Sequence, residues 1–269
     1  PIAFILHGGA GVLAERSYDA EVAHMDALTR EAQKTLQDGG SALDAVCAAV
    51  RAMESSGLYV AGKGASPNQA GRYELDASLM TGPGREAGAV AALEGFVSPI
   101  DAARAVMEAT PHVLLAGAGA ARFCLDQGLE RVESAPDYYT PAAAPDDRAI
   151  ATGTVGAVAL DQDGRLAAAT STGGTLNKVW GRVGDTPIIG SGTWADERCA
   201  VSCTGQGEFF MRANAAADVS ARVRYSGDSL DHAVAGALDD VKALGGEGGI
   251  IAVDASGSVS AQFNSPGMK

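Results

Sequence analysis

Gly153-Thr154-Val155-Gly156-Ala157-Val158-Ala159-Leu160 is the stretch that decides how this chain is read. From Val155 to Leu160 it is apolar and uncharged. Asp161-Gln162-Asp163-Gly164 then supplies a hairpin turn into a second run, residues 166–171, which leads into Thr170-Ser171-Thr172-Gly173-Gly174. A Gly-Thr pair is by itself an ordinary way to begin a strand. If the bond between Gly153 and Thr154 is cut, however, Thr154 becomes a chain terminus with a hydroxyl nucleophile and a free amine on one residue. A threonine hydroxyl attacks poorly until a base takes its proton. An α-amine titrates near ~7.7 and a lysine near ~10.4, so the terminal amine is the base suited to neutral pH. The four histidines, His7, His24, His112 and His232, show neither metal spacing nor a hydrolase signature, and this chemistry needs none of them.

The rest of the composition bounds the possibilities. With 269 residues and 46% hydrophobic content, the chain can bury a large core as one domain or two lobes. A net charge of −13 argues against nucleic acid or an anionic membrane as partner. Cys47, Cys124, Cys199 and Cys203 form no CxxC pair and no secreted-type framework, and read as reduced packing residues. No window has the length and apolarity of a membrane span or a secretory leader. The chain begins at Pro1, consistent with a removed initiator Met, so the expected location is the cytoplasm.

Local signals give the order of elements. A buried strand over residues 2–6 runs into His7-Gly8-Gly9-Ala10-Gly11, a helix is predicted over 19–37, and Ser41-Ala42-Leu43-Asp44 caps a second helix. Alternation of Tyr73, Leu75, Ala77 and Leu79 predicts a half-buried strand, paired with residues 87–93. Ser98-Pro99-Ile100-Asp101 starts another helix. Residues 141–150, rich in Ala, Pro and Asp, read as a flexible linker ending near the candidate scissile bond. Beyond the hairpin, strands are expected over 200–203, 250–254 and 258–263, and helices near 208–218 and 229–244. Blocks of strands and blocks of helices argue for an α+β fold and against a doubly wound sheet. Gly9-x-Gly11-x-x-Ala14 fits a dinucleotide-binding fingerprint, but that motif requires its helix to lead to a second parallel strand. Here a second helix follows, and the glycines read more simply as permitting a tight turn.

Several motifs occur in a fixed order: His7-Gly8-Gly9-Ala10-Gly11, Glu74-Leu75-Asp76-Ala77-Ser78-Leu79-Met80, Gly153-Thr154-Val155-Gly156, Thr170-Ser171-Thr172-Gly173-Gly174, Asn177-Lys178, Gly181-Arg182-Val183-Gly184-Asp185, Ser202-Cys203-Thr204-Gly205, Gly245-Gly246-Glu247-Gly248-Gly249 and Phe263-Asn264. Together they resemble the plant-type L-asparaginase/isoaspartyl peptidase family of N-terminal-nucleophile hydrolases, over essentially the whole chain.

The resemblance implies a four-layer αββα sandwich in which Thr154 begins a central strand. It implies autocleavage between Gly153 and Thr154 into residues 1–153, ending in a linker at about 138–153, and residues 154–269. Thr154 is then nucleophile and, through its α-amine, general base, and Thr172 orients its hydroxyl. Arg182 grips the substrate α-carboxylate and Asp185 its α-ammonium, while Thr204 and Gly205 form the oxyanion hole; Gly205 also offers its carbonyl to the ammonium. The implied substrates are L-asparagine and β-aspartyl dipeptides. Alternatives are a dipeptidase specialised for β-Asp-Arg from cyanophycin, a glycosylasparaginase, and, from another class, an uncleaved non-catalytic binding protein. No organic cofactor is implied. Sodium held by backbone carbonyls near residues 53–61 leaves no side-chain signature, and the assembly implied is a dimer of cleaved αβ units. Two departures stand out. Tyr59-Val60-Ala61-Gly62 replaces a Phe-Asn-Ala-Gly-type run, and Trp180 precedes Gly181 where a smaller residue or proline is common. An indole there would stand near the pocket mouth and bear on the leaving group.

Overall fold

The structure is a computed structural model that describes residues 1–13, 15–142 and 153–269. Its elements in chain order are β1 (Ala3–His7), α1 (Asp19–Gln37), α2 (Ala42–Ser56), β2 (Leu75–Gly82), β3 (Ala87–Leu93), α3 (Pro99–Ala109), β4 (Leu114–Ala116), α4 (Gly117–Asp126), α5 (Ala135–Tyr138), β5 (Val155–Leu160), β6 (Leu166–Thr172), β7 (Thr193–Ala195), β8 (Cys199–Gly205), α6 (Gly207–Ala213), α7 (Ala215–Ala221), α8 (Leu230–Ala243), β9 (Gly248–Asp254) and β10 (Val259–Phe263). Helix and sheet content is mixed. One sheet runs β1-β5-β6-β2-β3-β4 and the other β10-β9-β8-β7. Every pair is antiparallel except β3 with β4.

The uncharged run after Thr154 has a direct structural cause. All six residues of β5 are buried. Val155, Ala157 and Ala159 face a core shared with α1, α2 and α3, while Val158 and Leu160 face a second core shared with Ala200, Ile251 and Val253 of the other sheet. A strand covered on both faces must be apolar at every position, not at alternate ones. The other sheet buries Cys199, Val201, Cys203 and Ile250 against α6, α7 and α8.

Most helix starts follow their caps. Ser41, Ser98 and Ser229 each accept a backbone N–H of their first turn, from Asp44, Asp101 and His232. Two expectations need correction. The strand expected to be half-buried begins at Leu75 and is buried at seven of eight positions because helices cover its sheet as well; Tyr73 lies outside it, stacked on Tyr139 at 4.0 Å. The helix expected near 208–218 is two helices, separated by Asn214 in the left-handed region at φ 49°. Sequence reading also missed the helix α4 and the strands β4 and β7, which at three residues each are too brief to show alternation.

The dinucleotide reading fails on topology. β1 pairs antiparallel with β5 and α1 is followed by α2, so no parallel crossover follows the glycines; Ala14 lies outside the described residues. Gly9 at φ 107° supports the simpler reading of a turn. Most of the expected linker, residues 143–152, also lies outside the described residues. All four cysteines are free and buried, and burial pushes the Cys47 and Cys199 thiols up to about 12, as suits packing residues. Among the described residues no helix is long and apolar enough to cross a membrane.

One carboxylate fixes the hairpin that follows Thr154. Buried Asp161 accepts the backbone N–H groups of Asp163 and Arg165 across the turn, and that of Ala42 at the start of α2, each at 3.0 Å. Removing it leaves a buried helix-start N–H unpaired. Asp161→Ala is expected to lower stability by about 2–4 kcal/mol in urea unfolding; a change below about 0.5 kcal/mol would contradict this role.

Candidate active site

Thr154 is 6% exposed and stands immediately before β5. β6 pairs with β5 so that Ser171 faces Val155, which brings Thr172 to the level of Thr154. The Thr154 hydroxyl donates to Thr172 Oγ1 at 3.1 Å, and Thr172 Oγ1 also accepts the Gly174 N–H at 3.1 Å. Two N–H and O–H donors on one oxygen fix its lone pairs, so the Thr172 proton is left to point elsewhere. A narrow pocket lies beside the pair, and Arg182, Asp185 and Gly205 share its wall with both threonines. Thr204 is buried and is not on that wall; its Oγ1 accepts the Ala10 N–H at 3.2 Å, which leaves its own proton free to donate.

The charged groups are set for a ligand with both signs. Arg182 presents Nε and Nη2 to the Glu208 carboxylate at 2.8 and 3.0 Å, a bidentate grip that orients the guanidinium and leaves Nη1 uncommitted to that pair. Asp185 is buried, and its Oδ2 has no hydrogen-bond partner among the described residues. Burial drives the Asp185 carboxyl from 3.8 up to about 7, against the pull of its backbone contact and of Arg182. A buried carboxyl held near neutrality with one oxygen unpaired is a receptor for a cation.

Sequence reasoning missed the support behind this wall. Glu208 follows Thr204-Gly205 by three residues and opens α6, but an acidic residue in a first helical turn reads as a routine match to the helix dipole. Asp76 faces Thr172 across the β2/β6 pair, fully buried, with Oδ1 on the Ala92 N–H at 2.7 Å and Oδ2 unpartnered among the described residues; burial pushes it up to about 6. Lys178, 4% exposed, donates to the Glu74 carbonyl at 2.9 Å and presses on Gly174, where a Cβ would lie 2.7 Å from its Nζ. Burial lowers the Lys178 pKa, and Asp76 and Glu74 raise it. Motif order singled out these residues, but only the fold shows that they stand behind Thr172 and Gly174.

Two departures find their places. Val60, which stands in the Asn position of the Phe-Asn-Ala-Gly-type run, packs on Gly153: a Cβ there would lie 2.6 Å from Val60 Cγ2, so residue 153 must be glycine. Trp180 is exposed and is not on the pocket wall; the Arg72 guanidinium sits 4.9 Å from its ring centroid. Among the described residues no group of His, Cys, Asp and Glu could hold a metal ion.

Two hydrogen-bonded threonines, one guanidinium and one buried carboxyl thus share a single pocket in a fold of mixed helix and sheet. The chain matches the asparaginase family model over residues 1–143 and 134–269, and it belongs to that family. It is 46% identical to an isoaspartyl peptidase of Salmonella typhimurium, with 98% of this chain and 92% of that protein covered. It is 44% identical to an isoaspartyl peptidase of Escherichia coli, covering 98% and 90%. A probable isoaspartyl peptidase/L-asparaginase of Arabidopsis thaliana is 37% identical over 99% of this chain and 94% of its own length.

The Asp185 titration has a definite sign. Its folded pKa lies above the ordinary value of 3.8, so the empty site is favoured by protonation in acid, and that contribution is lost as pH rises from about 4 through about 7. A bound ammonium group reverses the preference. L-Aspartate is therefore expected to bind more tightly as pH rises through 7, measured by calorimetry, and Asp185→Asn should remove both affinity and its rise; a pH-independent affinity in the parent would contradict this.

Proposed function

We propose that the protein is an isoaspartyl peptidase with L-asparaginase activity that cleaves itself between Gly153 and Thr154 and uses the freed threonine as nucleophile. The observation that carries this reading is the 3.1 Å contact between the Thr154 and Thr172 hydroxyls, in one pocket with Arg182 and Asp185. The names of the relatives support it, since they are isoaspartyl peptidases or isoaspartyl peptidase/L-asparaginases at 37–46% identity.

Arg182 Nη1 and the Asp185 carboxylate hold the α-carboxylate and α-ammonium of an aspartyl unit, and the Gly205 carbonyl shares the ammonium. Thr154 Oγ1 adds to the β-carbonyl carbon as the Thr154 α-amine takes its proton, and the charge that grows on oxygen is met by the Thr204 hydroxyl and the Gly205 N–H. Collapse expels ammonia or the amine of a leaving amino acid, which receives that proton, and leaves an aspartyl ester on Thr154. Water then attacks the ester with the same amine as base, releasing aspartate. Maturation is the same attack turned on the chain itself. Before scission the Thr154 nitrogen is an amide and not a base: Thr154 Oγ1 adds to the Gly153 carbonyl carbon, its proton passes to that nitrogen as the C–N bond breaks, and water cleaves the resulting ester. Val60 confines Gly153 during that step.

The finer architecture belongs to this reading: a four-layer αββα sandwich, composed after cleavage of residues 1–153 and 154–269, with two αβ units per assembly and a cytoplasmic location. The succession of core clusters supports the layers. A sodium ion on carbonyls of residues 53–61 suits a hard cation, although the Met53, Tyr59 and Val60 oxygens already accept hydrogen bonds from Ser56, Ala61 and Gly173. No step of the reaction passes through it.

Intact mass under denaturing conditions should show fragments of 153 and 116 residues, since 269 less 153 is 116. Thr154→Ala should remain one chain and lose at least about 10⁴-fold in kcat on L-Asn, β-Asp-Leu and β-Asp-Arg alike; turnover near the parent rate would reject the reading. Gly153→Ala should slow scission at least about tenfold, because its methyl would lie 2.6 to 2.9 Å from Val60 Cγ2, Cβ and backbone N; cleavage of Gly153→Ala at the parent rate would contradict the role given to Val60.

A further inference from the structure

His7 and a group of hydroxyls lie between the two sheets, outside the pocket and unused by the mechanism above. His7 Nε2 is 3.0 Å from Ser202 Oγ, and Ser202 Oγ is 2.8 Å from Thr170 Oγ1. Thr170 Oγ1 is 2.7 Å from Thr193 Oγ1, which is 2.7 Å from Ser78 Oγ, and Ser78 donates to the Thr186 carbonyl at 2.5 Å. These residues come from β1, β8, β6, β7 and β2 in turn, and none is more than 1% exposed. The line ends on Thr186, which follows Asp185 and shares the pocket wall.

We propose that His7 is a positioning residue for Thr154, held in place by this line of hydroxyls, which ties the strand of the nucleophile to the wall that carries Asp185. The proposal rests on the reading of Thr154 as nucleophile.

Three observations carry it. The first is steric: a Cβ on Gly156 would lie 2.0 Å from Ser202 Oγ and 2.6 Å from His7 Nε2, so the contact between His7 and Ser202 presses directly on β5 two residues after Thr154. That close approach is why position 156 is glycine, and it transmits any shift of His7 to the start of β5. The second is the reach of the turn after His7. The Ala10 N–H meets Thr204 Oγ1 at 3.2 Å, so the segment that begins at His7 also touches the strand end assigned to the oxyanion hole. The third is chemical. The neighbouring space between the sheets is filled by Val158, Leu160, Ala168, Ile251 and Val253. An apolar side chain at each hydroxyl position would cost nothing in unpaired polar groups, whereas each buried hydroxyl costs about 1–3 kcal/mol unless its partner is in register. A fully connected line of this kind specifies one alignment of the two sheets, and the pocket is assembled from both.

His7 itself stays neutral. Burial pushes it down to about 3, and the nearby Thr154 carbonyl only partly offsets that. Nδ1 has no hydrogen-bond partner of good geometry among the described residues. The ring therefore acts as a fixed neutral wedge beside the Thr154 carbonyl and exchanges no proton with substrate.

The test breaks the line away from the pocket. Thr170→Val keeps the volume and removes a central hydroxyl, and Ser202→Ala frees His7 Nε2 directly. Both are expected to fold, to leave KM within about twofold of the parent, and to lower kcat at least about tenfold at temperatures well below their Tm. The nitrogen-15 imidazole signals of His7 should pass from one neutral tautomer in the parent to a mixture in Ser202→Ala. Folded variants that fail to cleave before Thr154 also support the proposal, because the same hydroxyl performs that step. A lowered Tm with parent-like kcat and an unchanged His7 tautomer would overturn it and show a purely structural line. In that event Thr154→Ala, assayed beside them, remains inactive if the nucleophile is right and active if it is not, so the two failures are distinguishable.

Discussion

A strand that is buried on both faces and directly preceded by a threonine is the constraint on which this structure depends. β5 lies inside the six-stranded sheet, with helices against one face and the second sheet against the other, so its backbone cannot shift without disturbing two cores. Thr154 inherits that rigidity. Its hydroxyl meets Thr172 because β6 is locked in register beside β5, and the register is set by the turn that Asp161 closes. A hydroxyl fixed in this way has lost orientational freedom before any ligand arrives, which is where a large share of a catalytic advantage can originate.

The electrostatics follow from the same burial. Asp185 and Asp76 each keep one carboxyl oxygen unpartnered among the described residues, and both have raised pKa values, so the empty site holds polar groups at a cost in stability. The Arg182 guanidinium lowers both pKa values electrostatically, while Glu208 grips two of its donors. A zwitterionic aspartyl unit offers an ammonium to the first of these groups and a carboxylate to the guanidinium. The net charge of −13 says nothing of this local balance. The chain's overall charge argues against polyanionic partners, whereas the pocket wall carries one cationic and one carboxylic side chain.

Much of this was legible in the sequence. The uncharged run of β5, the turn at residues 161–164 and the serine caps are local signals, and each produced its element with the expected boundaries to within a few residues. The ordered motifs pointed to the family, and the fold brings Thr154, Thr172, Arg182, Asp185 and Gly205 to one pocket. What stayed hidden depends on contacts between residues far apart in the chain. Burial of β2 on both faces arises from helices that local alternation does not register. The break at Asn214 needs a left-handed residue that looks like helix interior in sequence. Glu208, Asp76 and Lys178 carry charge patterns that surface residues share, and only the β2/β6 register and the start of α6 show them supporting the site. The line from His7 to Ser78 joins five strands, with 195 positions between His7 and Ser202 alone.

The central claim is that the acyl group passes through the hydroxyl of a threonine that is itself the first residue of its chain. Rapid quenching of the enzyme during turnover of a β-aspartyl dipeptide, followed by peptide mass spectrometry, tests this most directly. One aspartyl adduct is expected, carried by a peptide whose first residue is Thr154 and lost again as substrate is exhausted. Full turnover with the adduct on any other side chain, or with Thr154 still joined to Gly153 in the active molecules, would contradict it.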